Sequence, residues 1–550
     1  MKKRDLIPAA IVLSGALLLA ACFNSSARRP GRYSRHYALA QPASIRAYSA
    51  KRAAPASPSG AQQPLLAMEQ RVQPGHNTEA YDRIVENPFL TAESNPLSTF
   101  SIDVDTASYA NVRRFLSRGM LPPRGAVRIE ELINYFPYEY KAPTGKTPFA
   151  VNVETASAPW NRSHRLVRIG LKGKEVQWSK RPPCNLVFLL DVSGSMSYEN
   201  KLPLLKRALA LLVDKLTERD RVTIVVYAGA AGLVLPPTPG NHRQKILAAL
   251  GRLQAGGSTN GGQGIKLAYQ MAVSQFIKGG SNRVILATDG DFNVGTTSRG
   301  ELLRLIARKA KSGVYLSVLG FGMGNYKDAM LEKISNRGDG NYSYIDTIAE
   351  ARKVLVEQLT GTLITIAKDV KIQVEWNPAQ VQAYRLIGYE NRMLRKEDFN
   401  NDKKDAGDIG AGHTVTAIYE VVPKGQRAPA GTVDKLRYQS AGKTTAVAKN
   451  GELMFLKLRY KPPKGGKSTL VTFPVRDPGQ RFAKASADFQ FAASVAAFGM
   501  LLRGSKWKGT STYADVLKWA HLSRSSARDP RGYRAEFLKL VQRASTLKRD

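Results

Sequence analysis

Residues 185–196 read NLVFLLDVSGSM. Leu186 to Leu190 are apolar without a break, the pattern of a strand buried on both faces rather than one. That strand ends on Asp191, Ser193 and Ser195, three oxygen-bearing side chains at i, i+2 and i+4. Similar apolar runs return at DRVTIVVYAG (220–229), NRVILATDG (282–290) and VYLSVLGFG (314–322). Between them lie stretches with the apolar period of a helix, among them KLPLLKRALALLVDKL (201–216), RQKILAALGRL (243–253) and QGIKLAYQMAVSQFI (263–277). Alternating strand and helix units predict a doubly wound, mostly parallel α/β sheet over 179–365.

Sites in such sheets form beyond the carboxyl ends of the strands, where strand order reverses. Asp191 closes the first strand, and Asp289 closes VILATD. Between them the glycine-rich GGSTNGG (256–262) presents Thr259 just where a helix begins. Three distant segments are thus expected to bring two carboxylates and three hydroxyls to one sheet edge. Oxygen donors without His or Cys suit a hard divalent cation, Mg²⁺ first, with Mn²⁺ and Ca²⁺ meeting the same requirement, rather than zinc. A ligand set made mostly of neutral hydroxyls would leave such a cation much of its charge and a coordination position for a partner's carboxylate.

Asp191, Ser193 and Ser195, then Thr259, then Asp289 resemble the metal-ion-dependent adhesion site of von Willebrand factor A domains, which follows D-x-S-x-S, a distant Thr and an Asp. The resemblance implies direct cation contacts from the serines and threonine, and contacts from the aspartates partly through water. The flanking regions, STFSIDVDTASY and the segment after 365, resemble those of bacterial lipoproteins that carry extra domains on both sides of an A domain.

The N-terminus agrees with that class. Lys2, Lys3 and Arg4 precede an uncharged run, Leu6 to Ala21, that is shorter than the roughly 20 residues a bilayer span needs and contains Pro8. Residues 1–22 therefore read as a signal peptide. Its end, LAAC, resembles a lipobox whose Cys22 would be acylated and anchor the chain to a membrane. Residues 23–80 follow as a basic linker rich in Ala, Ser and Pro, with eight basic residues against Glu69 and Glu79. Such a segment is expected to stay disordered and to lie along acidic headgroups. The chain as a whole carries a net charge of +38, which points to an anionic partner or surface and says nothing of fold. With Phe23 after Cys22, the sorting rule of enterobacterial-type lipoproteins implies the outer membrane of a bacterial envelope.

The remaining domains are expected as a small α+β unit over 81–178, with order resuming near Asn87, and a β-sandwich followed by helices over 366–550. Asp103 and Asp105 read either as a paired-carboxylate or metal site or as a solvated strand end. PPKGGKST (462–469) lacks the first glycine of a phosphate-binding loop and runs into a strand pattern. RGD (337–339) falls in a turn between a helix and a strand, and the acidic DFNNDKKDAGD (398–408) lacks the glycine and closing glutamate of a calcium loop.

Together these features predict a lipid-anchored envelope protein that binds a protein partner by metal-to-carboxylate contact, with no nucleic acid and no catalysis. Two alternatives stand beside it: a metal-dependent hydrolase or phosphoesterase that uses the same cation as a Lewis acid, or a polyanion binder acting through the basic surface charge alone.

Overall fold

The computed structural model describes residues 78–290, 298–429, 444–522 and 529–548. The expected signal peptide, Cys22 and all but the last three residues of the expected linker lie outside the described residues. Four strands come first, β1 (Leu90–Thr91), β2 (Leu97–Ser101), β3 (Phe149–Ala158) and β4 (Asn161–Gly173). Six follow: β5 (Cys184–Asp191), β6 (Arg221–Tyr227), β7 (Ala231–Pro239), β8 (Ser281–Thr288), β9 (Val314–Phe321) and β10 (Tyr342–Ile345). The last six are β11 (Thr365–Trp376), β12 (Val381–Ile387), β13 (Gly407–Gly410), β14 (Thr414–Pro423), β15 (Glu452–Lys461) and β16 (Thr469–Arg476).

The middle six form one sheet in the order β10-β9-β8-β5-β6-β7. Every pairing in it is parallel except β6 with β7. This is the predicted α/β sheet, and the order reverses beside β5, so the site-bearing strand lies at the switch. All eight residues of β5 and of β8 are buried. Each large apolar side chain there contributes roughly 1.5–3 kcal/mol relative to exposure. Alternate residues serve opposite faces: Leu186, Phe188 and Leu190 pack with the helix Leu202–Val213, and Val187 and Leu189 with the helix Gly261–Ser274. The antiparallel edge strand β7 was not predicted. Its sequence, AGLVLPPTP, has the prolines of a turn, yet an edge strand tolerates residues that cannot donate to a neighbour.

The other strands make two antiparallel sheets. One runs β1-β12-β14-β4-β3; the other runs β13-β11-β15-β16, with β2 also paired to β11. The predicted sandwich therefore exists, but strands from before the central sheet complete it. Val167, Ile169 and Leu171 of β4 alternate into the core between the sheets, where they meet Ile372, Val374 and Leu456. The opposite face of the first sheet, through Ala156, Leu166 and Ile418, is covered by the helices Ala487–Arg503 and Tyr533–Leu547. The segments expected as separate N- and C-terminal domains thus share both sheets.

Contacts also begin earlier than Asn87. Thr78 N donates to Gly324 O at 2.6 Å, and Ala80 bridges Lys327. Glu79 accepts from Gly324 N and from Arg114.

Candidate metal centre

Two adjacent parallel strands of the central sheet, β5 and β8, carry the expected carboxylates to one edge. Asp191 is the last residue of β5, and Asp289 follows β8 directly; both are fully buried. After Asp191 the chain enters a short 3₁₀ turn, Gly194–Ser197, which brings Ser193 Oγ within 3.1 Å of Ser195 Oγ. The glycine-rich loop is stitched to this turn by the backbone. Gly194 N donates to Gly257 O at 3.0 Å, and Gly256 N donates to Val192 O at 2.8 Å. Half-buried Thr259 rides on that loop, just before the helix Gly261–Ser274. The structure therefore places the segments of all five predicted residues at one strand edge.

Asp191 is held by three donors. Ser193 N reaches its Oδ1 at 3.0 Å, while Tyr227 Oη and Thr288 Oγ1 reach its Oδ2 at 3.2 and 3.1 Å. Burial pushes this carboxyl up to about 6 against the pull of the Ser193 hydrogen bonds, and the nearby charge of Asp289 adds to the rise.

Asp289 has a cationic neighbour that the sequence pattern did not reveal. Lys201 Nζ donates to Asp289 Oδ2 at 2.8 Å, with the lysine side chain 5% exposed. The lysine stem runs beneath Gly322, whose φ of +71° is left-handed. A Cβ at that glycine would fall 2.3 Å from Lys201 Cε, so both the backbone and the stem require glycine there. Nothing in sequence spacing marks Lys201, Tyr227 or Thr288; each is a single polar residue beside an apolar run.

A hard cation fits the set by donor chemistry: two buried carboxylates, two hydroxyls in mutual contact and a third on an adjoining loop supply only oxygen. Ser193, Ser195 and Thr259 would hold it directly, with Asp191 and Asp289 behind them.

The other motifs resolve without such a set. Asp105 is buried, not solvated: its Oδ1 accepts from Tyr342 N and its Oδ2 from Arg392. Asp103 pairs with the same arginine at 2.9 Å. Asp105, Glu131 and Glu332 offer carboxylate atoms within 4.8 Å of one another, yet Arg392 already bridges Asp105 and Glu332, and Arg128 pairs with Glu131. RGD closes the helix Asp328–Arg337 and enters a turn, as its sequence context predicts. PPKGGKST forms the connection of the β15–β16 hairpin. The acidic run 398–408 contains a 3₁₀ turn and enters β13. A cavity of about 1240 Å³, lined in part by Asp103, Arg283, Asp339 and Asp408, does not touch the five predicted residues. Cys184, buried, is a free thiol.

Comparison with known proteins agrees with this architecture. Residues 185–358 match the model of the von Willebrand factor type A domain, residues 75–168 one described as von Willebrand factor, and residues 361–547 the C-terminal model of the uncharacterized protein YfbK. The chain is 48% identical over 474 residues to the uncharacterized protein YfbK of Escherichia coli, covering 85% of this chain and 81% of that one. It is 33% identical over 162 residues to the human inter-alpha-trypsin inhibitor heavy chain H4, covering 28% of this chain and 17% of that one. Among solved structures, the von Willebrand factor type A protein of Catenulispora acidiphila aligns with a TM-score of 0.38 at 18% identity, over 75% of this chain and 91% of that one.

Proposed function

This chain belongs to the von Willebrand factor type A domain proteins that include YfbK of Escherichia coli, and on that premise we propose that it binds a protein partner through a divalent cation. The cation would be held at Asp191, Ser193, Ser195, Thr259 and Asp289. One observation supports the reading: the Ser193 and Ser195 hydroxyls touch beside fully buried Asp191, the loop that carries Thr259 is bonded by its backbone to their turn, and fully buried Asp289 follows the adjacent strand. Buried carboxylates are costly unless compensated, and a divalent cation is a compensation that hydroxyl neighbours can share.

When bound, the cation supplies a Lewis-acidic position for one more oxygen. The chain's own residues do the rest. Ser193 N, Tyr227 and Thr288 fix the Asp191 carboxylate, and the backbone bonds from Gly194 N to Gly257 O and from Gly256 N to Val192 O hold the two loops together. A carboxylate on the partner is the fitting ligand, because it brings the charge that neutral hydroxyls leave uncancelled. The protein acts as an adhesion or scaffolding component rather than an enzyme, acylated at Cys22 and held at the bacterial envelope, on its outer membrane, by that anchor and the basic linker.

The test uses the full-length chain as bait for envelope extracts in Mg²⁺ and in EDTA, beside Asp191→Ala. A partner captured in Mg²⁺ and lost both in EDTA and with Asp191→Ala supports the reading. Capture that persists in EDTA overturns it. Capture that ignores chelators but collapses with salt instead favours the charge-only polyanion binder.

A further inference from the structure

A lysine at the first turn of a helix is misplaced by ordinary rules. Lys201 immediately precedes the helix Leu202–Val213, where the positive end of the helix dipole disfavours a cation. Its ammonium is also buried, which disfavours it again unless a partner is close. The backbone fixes the start of the stem, as Lys201 N donates to Tyr198 O and its carbonyl accepts from Leu205 N. Gly322 fixes the course of the stem, and Asp289 receives its end at 2.8 Å. Three independent constraints thus deliver one positive charge to one of the two carboxylates of the candidate centre.

From this we infer that Lys201 makes cation binding conditional on an acidic ligand; the inference rests on the proposed metal reading. The charges decide it. Among the described residues, Asp191 and Asp289 supply two negative charges and Lys201 one positive, so a divalent cation leaves these three groups with one excess positive charge. A carboxylate from the partner brings the total to zero. Without the lysine, the cation alone would neutralise the aspartates, and a partner carboxylate would then add an uncompensated negative charge. In a buried site such imbalances are weakly screened. Lys201 therefore weakens the cation in isolation and strengthens the pair of cation and carboxylate. By linkage, the carboxylate raises cation affinity by the same factor as the cation raises carboxylate affinity. The ligand class that follows is an exposed Asp or Glu side chain or a C-terminal carboxylate. A neutral oxygen donor cannot supply the missing charge.

The experiment titrates the full-length protein with Mn²⁺, reading unbound Mn²⁺ by its paramagnetic resonance signal, with acetate exchanged for chloride at constant ionic strength. The wild type is expected to bind Mn²⁺ at least about fivefold more tightly in acetate. In Lys201→Met and Lys201→Gln, Mn²⁺ should bind more tightly without acetate, and the acetate effect should fall toward onefold. Lys201→Arg, which keeps the charge, should retain it. The Gln variant can still donate to Asp289, so it separates loss of charge from loss of folding, which circular dichroism in EDTA checks. Equal Mn²⁺ affinity and equal acetate dependence in wild type and both neutral variants overturn the inference and leave the metal reading standing. No Mn²⁺ binding by any of the proteins, nor any difference from Asp289→Asn, overturns both.

Discussion

Tyr227 and Asp191 are register partners on adjacent parallel strands, and the tyrosine hydroxyl donates to Asp191 Oδ2 at 3.2 Å. Thr288, on the strand at the other side, donates to the same oxygen. The carboxylate is therefore clamped from both neighbours of β5, and its orientation is a property of the sheet rather than of a loop.

Tyr227→Phe removes one jaw of that clamp without changing the ring. A hydrogen bond to a charged acceptor is worth about 1.5–3 kcal/mol, so the variant should lose stability within that range in urea melts made in EDTA. Its Mn²⁺ affinity should also fall, since the Asp191 carboxylate is no longer fixed. Unchanged affinity would show that Asp191 takes no part in holding the ion.

Gly322→Ala places a methyl group against the stem of Lys201 at a left-handed backbone position. Overpacking alone costs about 1–3 kcal/mol. If the clash is with Lys201, shortening the lysine should relieve part of it. The double variant with Lys201→Ala should then be more stable than the sum of the single losses predicts, by about 0.5 kcal/mol or more. Strict additivity in denaturant melts would place the strain in the backbone.

Arg113 joins three parts of the chain. It donates to Asp346 and Glu350 beyond β10 and to Glu536 on the helix Tyr533–Leu547. Arg113→Met removes the arginine from buried Glu350 and half-buried Asp346, leaving Glu350, among the described residues, only the Tyr135 hydroxyl, and should destabilise the fold by about 3–5 kcal/mol by urea denaturation. Lys353, which donates to the Tyr135 carbonyl nearby, has its ammonium pushed well below the ordinary lysine value by burial, although the Glu350 charge pulls it back up.

Stability should fall as pH rises toward neutrality, in part through Asp408. Burial raises its carboxyl from 3.8 to about 7, although Lys368 and the Asp369 amide pull it down. A carboxyl raised on folding favours the native state fully below its unfolded value, and that contribution is lost as pH climbs through the folded value. The midpoint of thermal unfolding should therefore drop between about pH 4 and pH 7 on this account, and Asp408→Asn, which can still accept from Asp369 N, should flatten the drop. An identical slope in the variant would assign the effect to other groups.

The central sheet could be read in advance because β5 and β8 are apolar on both faces, a pattern that excludes an exposed sheet. The five candidate donors stand out in the sequence because their spacing repeats a known arrangement. Pairing of the flanking strands was not legible. The alternation of Val167, Ile169 and Leu171 says that β4 is half-buried, but not that Val421 to Thr414 of β14 lies beside it. Asp105 was open to misreading for a similar reason: its partner Arg392 is far away in sequence, so a buried ion pair looks like a solvated strand end. Lys201 was hidden because one lysine at the edge of an apolar helix has no period to betray it.

The shared antiparallel sheets set a timetable for biosynthesis. The nascent chain releases β2 from the ribosome about 270 residues before its partner Lys371–Glu375 exists, an interval of roughly 15–55 s at ordinary elongation rates. During that time β2 and β4 lack their partners β11 and β14, while the mostly parallel sheet that follows them can close on strands already made. The central sheet is thus positioned to fold first, and its closure brings the strands that precede it and those that follow it together for the last step.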